Sequence, residues 1–169
     1  MKTLYIVRHA KSSWNDISLS DMDRPLKKRG KSDAKTIADI LRKEGVKPDM
    51  FLTSPALRAY DTAQIFAEQM HIPSSQVQVK DKLYLPDFPT ILKLALYLDN
   101  AWDTVFLFGH EPSLSAFINY FIQNPLDKVV TSSVTKMAFD TDTWKDLASS
   151  TLHSAFHRNR HDWDGFDMK

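Results

Sequence analysis

The sequence predicts an α/β fold of three layers, with helices on both faces of a mostly parallel central sheet. Two observations predict it. The short continuous apolar runs at residues 4–7, 50–52 and 105–108 have the character of strands buried on both faces. Segments with helical apolar spacing separate them, and strands alternating with helices build parallel sheets with helices on either side.

In chain order, residues 4–7 form the first strand, and a polar, loop-like stretch follows from 11 to 28. Residues 31–43 set Ala34, Ile37, Ala38 and Leu41 on one helical face, and Gly45 sits where that helix would stop. After the strand at 50–52, Ser54-Pro55 reads as a helix start, a capping hydroxyl before a proline, opening a helix to about residue 70. A short strand is expected at 77–80, and a helix at 90–98 with Ile91, Leu92, Leu94, Ala95 and Leu98 available to the core. The strand at 105–108 ends at Gly109, Pro112 and Ser113 open a helix to about residue 122, and residues 133–140 alternate as a strand does. For residues 152–158 periodicity does not decide between an edge strand and a short helix. With no repeat, low-complexity tract or linker, the expectation is one domain over residues 1–169.

Apolar and charged fractions of 43% and 25% are those of an ordinary globular chain. Lys and Arg number 22 against 21 Asp and Glu, a formal charge of +1, so global charge favours neither nucleic acid nor membrane. The basic cluster at 158–161 reads as a solvated tail, because Asp162, Asp164 and Asp167 follow it. Without cysteine there are no disulfides, thiolate catalysis or Cys-ligated zinc. No signal-peptide core or membrane-length apolar stretch is visible, so a cytoplasmic enzyme or binding domain is expected.

In such sheets ligands bind beyond the carboxyl ends of the strands. The first strand ends in Arg8-His9, the second in Thr53-Ser54 with Arg58 a turn later, and another in Gly109-His110. Two arginines and two histidines thus converge on one edge. That set suits a phosphoryl group: guanidiniums bind phosphate oxygens with planar paired donors, and an imidazole with one nitrogen free is a good nucleophile toward phosphorus. In-line transfer then needs mainly positioning and charge stabilisation, so neither a metal nor another cofactor is required.

Val7-Arg8-His9-Ala10, Thr53-Ser54-Pro55-Ala56-Leu57-Arg58-Ala59 with Thr62-Ala63, and Gly109-His110-Glu111-Pro112-Ser113-Leu114 resemble the histidine phosphatase superfamily, with its phosphoglycerate mutase-like fold. Asp23-Arg24-Pro25-Leu26 before Lys28-Arg29-Gly30 resembles its small phosphohistidine phosphatase branch. The resemblance implies that His9 attacks phosphorus and becomes a phosphohistidine that water hydrolyses. It further implies that Arg8, Arg58 and His110 hold the phosphate. Arg24 is a candidate substrate contact, as are Ser12 and Trp14 in the loop after His9. Two departures stand out: Ala10 where the family usually has glycine, and Glu111 where it usually has asparagine.

Ester-cleaving members of the superfamily typically carry a carboxylic acid in a loop after a middle strand. The matching region, residues 83–87, holds only Asp87. Asp87 and Glu111 are therefore the candidate general acids, against plainer readings as a turn cap and a helix-start carboxylate. The branch often lacks that acid, which suits a phosphoramidate, whose leaving nitrogen is basic. The expected partner is thus a protein bearing phosphohistidine. A small phosphate ester is the first alternative, and a non-catalytic phosphate-binding module the second. His153, His157 and His161 would share one face of a helix, but no carboxylate or cysteine complements them, and a metal site there is not expected.

Overall fold

Among the described residues, 1–163, of the computed structural model, six strands form one sheet. They are β1 (Lys2–Arg8), β2 (Met50–Thr53), β3 (Val77–Val79), β4 (Thr104–Gly109), β5 (Val134–Phe139) and β6 (Leu152–Arg158). Their order is β3-β2-β4-β1-β5-β6. The first four run parallel, and β5 and β6 add an antiparallel edge. The helices are α1 (Lys28–Lys43), α2 (Leu57–Met70), α3 (Phe88–Leu96) and α4 (Ser113–Phe121). Asp164 and Asp167, set above against the basic cluster, lie outside the described residues.

Successive side chains of a strand point to opposite faces, and here both faces are apolar and covered. Tyr5 and Val7 of β1 join Phe106 and Phe108 of β4 in a core with Ile37 and Leu41 of α1 and Phe66 of α2. Leu4, Ile6, Val105 and Leu107 take the other face, with Ile91 of α3 and Phe117 and Ile118 of α4. The Tyr5 and Phe106 rings stack at 4.4 Å, and Phe66 meets Phe108 edge-on at 5.3 Å. The three-layer arrangement expected from the apolar runs is the one observed.

Three local differences have physical causes. The second helix begins at Leu57, not at Pro55, because the Ser54 hydroxyl accepts the Ala56 N–H (3.2 Å) and closes a tight turn first. The undecided segment is β6, whose pairing with β5 supplies the backbone partners that its weak periodicity does not advertise. His153 and His157 therefore lie on a strand. The His157 ring is held by Thr135 Oγ1 (2.7 Å) and Asn159 Oδ1 (2.8 Å), and no group of three metal-ligating side chains occurs among the described residues. Nor is any described helix long and apolar enough to cross a membrane.

The chain after β1 is clamped to the start of α1. Lys27 N–H donates to Lys11 O (2.8 Å), Ser13 N–H to Pro25 O (2.8 Å), and Ser12 bridges Leu26. Gly30 makes this approach possible, since a Cβ there would overlap the Lys11 carbonyl and stand 2.8 Å from its nitrogen. Backbone cannot yield as a flexible side chain can. Gly30→Ala is expected to destabilise the protein by about 1–3 kcal/mol, read as a lower urea midpoint. An unchanged midpoint would show that the clamp tolerates the extra atom.

Candidate functional site

Strand register builds the site. Arg8 of β1 lies opposite Gly109 of β4, and Thr53 of β2 opposite Phe108, so the three strands end level. His9 N–H donates to Gly109 O (3.2 Å) and Ser54 N–H to Phe108 O (3.1 Å), continuing the ladder one residue past the strands. His9, Ser54 and His110 thus leave the sheet side by side. The two imidazoles stand 5.3 Å apart between centroids, inclined at 52°.

The orientation of His9 follows from one contact. Its Nδ1 lies 2.8 Å from the Ala10 carbonyl, which can only accept, so Nδ1 carries the proton and Nε2 keeps its lone pair. Ala10 is fixed in turn by its N–H to Thr62 Oγ1 (2.9 Å). Among the described residues Ala10 is not one of those with positive φ, so the turn demands no glycine there. Burial lowers the His9 pKa to about 3, outweighing the Ala10 hydrogen bond, with His110, Arg58 and Arg8 adding repulsion. His110 is lowered to about 4 by burial and by Arg58, against the attraction of Asp21. Its Nε2 sits 2.7 Å from Ser54 Oγ, and its buried Nδ1 has no partner.

Three arginines surround the pair. Arg8 Nη1 donates to Val129 O (2.8 Å), and burial lowers the Arg8 pKa without removing its charge. Arg58, in the first turn of α2, donates from Nη1 to Asp21 O (2.6 Å) and from Nη2 to Asp21 Oδ2 (3.1 Å). Arg24 Nε pairs with Asp21 Oδ1 (3.1 Å), and its guanidinium lies 3.4 Å from the Trp14 ring centroid. Arg8 Nε, Arg58 Nε and Arg24 Nη1 are buried without hydrogen-bond partners, like His110 Nδ1. Four unsatisfied polar atoms on four cationic or donor side chains make a site built for an anion.

The structure therefore brings together Arg8, His9, Arg58 and His110, with Arg24 beside them. Trp14 is exposed and reaches the site only through Arg24, and Ser12 serves the clamp through its bridge to Leu26. The two candidate acids are engaged elsewhere. Asp87 caps α3, accepting the Thr90 N–H (3.0 Å), and the Thr90 side chain together with that amide holds its carboxyl below the usual range. Glu111 accepts from Ser115 N (2.9 Å), Ser115 Oγ (2.9 Å) and Val129 N (3.2 Å), tying the start of α4 to the segment that orients Arg8.

Two residues at the site carry no sequence signal. Asp21 sits in the polar stretch before α1, and Tyr84, after β3, donates its hydroxyl to Asp21 Oδ2 (2.7 Å) and sets its ring edge-on to His110 at 5.9 Å. Burial works to raise the Asp21 pKa, but the Tyr84 hydrogen bond and the two arginines bring it below the usual value. Ser132, buried in a left-handed conformation (φ 61°), donates its N–H to His9 O (3.3 Å).

Residues 4–84 match the family model of the histidine phosphatase superfamily (branch 1). Among solved structures, the protein histidine phosphatase SixA in complex with tungstate is similar at a TM-score of 0.81 and 21% identity, covering 95% of this chain and 98% of that one. The SixA of Agrobacterium tumefaciens gives 0.77 at 24% identity, over 92% of this chain and 97% of its own. An uncharacterized chloroplastic protein of Arabidopsis thaliana is 44% identical over 69 residues, 41% of this chain and 32% of its own length. A 2,3-bisphosphoglycerate-dependent phosphoglycerate mutase of Bartonella bacilliformis is 40% identical over 78 residues, 45% of this chain and 38% of its own. The chain thus spans only about a third of the length of the curated relatives it matches.

The two lowered imidazoles have a measurable consequence. Between about pH 6.5 and pH 4 the unfolded chain takes up protons on these histidines that the native protein does not. Native stability therefore rises with pH across that window and declines on acidification. In phosphate-free buffer the thermal midpoint is expected to fall from pH 7 to pH 4.5, and to fall less steeply in a His9→Asn/His110→Asn double variant. Identical slopes would mean that the native rings are already protonated.

Proposed function

We propose that this chain, whose residues 4–84 match the histidine phosphatase superfamily model, hydrolyses phosphorylated side chains, phosphohistidine foremost, through a phosphoenzyme on His9. The observation that carries this reading is the His9 ring, held at Nδ1 by Ala10 O so that Nε2 keeps its lone pair, with the ring centroid 5.3 Å from that of His110. At neutral pH the buried ring is neutral, with its one proton on Nδ1 and Nε2 ready to attack.

In the first step the Nε2 lone pair forms a bond to phosphorus while the phosphorus–nitrogen bond of the substrate breaks, its electron pair leaving with the departing imidazole. That imidazole leaves neutral when its far nitrogen carries a proton, so the site needs no donor of its own. In the second step water attacks the His9 phosphoryl group, releasing orthophosphate and restoring the ring. Arg8 Nε, Arg58 Nε and Arg24 Nη1 are the donors for the equatorial oxygens, which gather charge as the group transfers. His110 adds a fourth donor in the tautomer where Ser54 donates to Nε2 and Nδ1 carries the proton.

The ester alternative is disfavoured by the same geometry. Asp87 and Glu111 spend their carboxylates on helix and loop contacts, which leaves neither beside the leaving group. The two SixA structures, similar over almost the whole chain, support a phosphoprotein as the substrate class.

Phosphate release from a phosphohistidine peptide in EDTA is the test. The wild type is expected to turn over in the chelator, and His9→Ala to lose about three orders of magnitude or more. Wild type exposed to labelled peptide and stopped with alkali would carry base-stable, acid-labile phosphate on His9. Binding of the peptide without release by the wild type would overturn the hydrolase reading in favour of a phosphate-recognition module.

A further inference from the structure

A carboxylate inside a phosphate-binding cluster is an oddity, and Asp21 is one. Its Oδ1 accepts from Arg24 Nε (3.1 Å), and its Oδ2 from Arg58 Nη2 (3.1 Å) and Tyr84 OH (2.7 Å), while its backbone carbonyl takes Arg58 Nη1 (2.6 Å). Two segments remote in sequence, around Arg58 and Tyr84, meet on this one residue beside its neighbour Arg24. Both guanidiniums are buried, so these are not the loose surface pairs that contribute little. Neither arginine gives Asp21 all its donors: Arg58 keeps Nε and Arg24 keeps Nη1 unpartnered and buried.

Electrostatics alone argues against such a residue, because an anion among the arginines opposes binding of a second one. Geometry argues for it. A guanidinium delivers its donors in a fixed plane, and transition-state stabilisation depends on donors already aimed when charge develops. We propose that Asp21 is a positioning residue, its carboxylate shared between Arg24 and Arg58 to aim their free N–H groups at the transferring phosphoryl group, at a cost in resting affinity for phosphate. Tyr84 braces that carboxylate at the oxygen it shares with Arg58 and ties it to His110 through its ring. This role rests on the site being one of phosphoryl transfer, but not on phosphohistidine being its substrate.

The test uses p-nitrophenyl phosphate, whose leaving group needs no acid, with inorganic phosphate as the competing ligand. Asp21→Asn removes the charge and half the acceptors, Asp21→Glu keeps the charge but moves it, and Tyr84→Phe removes only the brace. Asp21→Asn is expected to lower kcat about 30- to 100-fold while binding inorganic phosphate as tightly as wild type or more so. Asp21→Glu should also lose kcat, and Tyr84→Phe should lose about three- to tenfold. A structural role alone would weaken kcat and phosphate binding together, with a lower melting temperature, and would overturn the proposal. So would Asp21→Glu or Tyr84→Phe at full kcat, and these two variants decide the matter if Asp21→Asn does not fold. A wild type active on p-nitrophenyl phosphate but idle on phosphohistidine would overturn the substrate reading and leave the Asp21 result to stand on its own. A wild type idle on both would overturn the phosphoryl-transfer reading, and the positioning role with it.

Discussion

Placing positive charge where water is scarce costs free energy, and the whole site is arranged around that cost. Imidazoles can answer it by giving up protons, and His9 and His110 both do, which leaves them neutral at ordinary pH. Guanidiniums cannot. Each buried arginine is therefore matched by oxygen: Arg8 by a backbone carbonyl, Arg58 by a carbonyl and a carboxylate, Arg24 by the same carboxylate. The matching is incomplete by design of the chain, since each arginine retains a buried nitrogen without a partner. The phosphoryl group proposed as ligand would finish what the protein leaves undone.

The sheet supplies the precision this needs. Three parallel strands, β1, β2 and β4, apolar on both faces, are gripped by α1 and α2 on one side and α3 and α4 on the other. Rigid packing of that kind leaves the ends of β1, β2 and β4 little freedom, so the residues just past them inherit fixed positions. The clamp from Lys11 to α1 then holds the chain leaving His9, with Gly30 sized for the contact. Position comes from the core, and chemistry from the single residues that follow it.

Much of this was legible from sequence, for a reason that also explains what was not. Strands buried on both faces write themselves as unbroken apolar runs, and Arg8, His9, Arg58 and His110 stand at fixed short distances from such runs. Asp21 has no such anchor: it lies in a polar stretch, and only folding brings it to Arg58, 37 residues away. After β3 the one carboxylate of residues 83–87, Asp87, caps a helix, whereas the residue that reaches the site from there is Tyr84. Glu111 sits in a recognisable motif, but its partner Val129 is 18 residues on, and nothing in the motif announces it. β6 was ambiguous because a half-exposed edge strand has little periodicity to read, and its identity comes from β5 beside it.

The segment from Val129 to Ser133 serves the site almost wholly through its main chain. Val129 O receives Arg8, Ser133 O receives the Arg8 amide, and the Ser132 amide meets the His9 carbonyl. Contacts of this kind are indifferent to which side chain hangs from the backbone, provided the path of the chain is kept. Such a wall can drift in composition across evolutionary time while the path of its backbone is kept. Likeness in letters would then fade over the second half of the chain long before likeness in form does, and a search by residue identity would see only the half of the site that speaks through side chains.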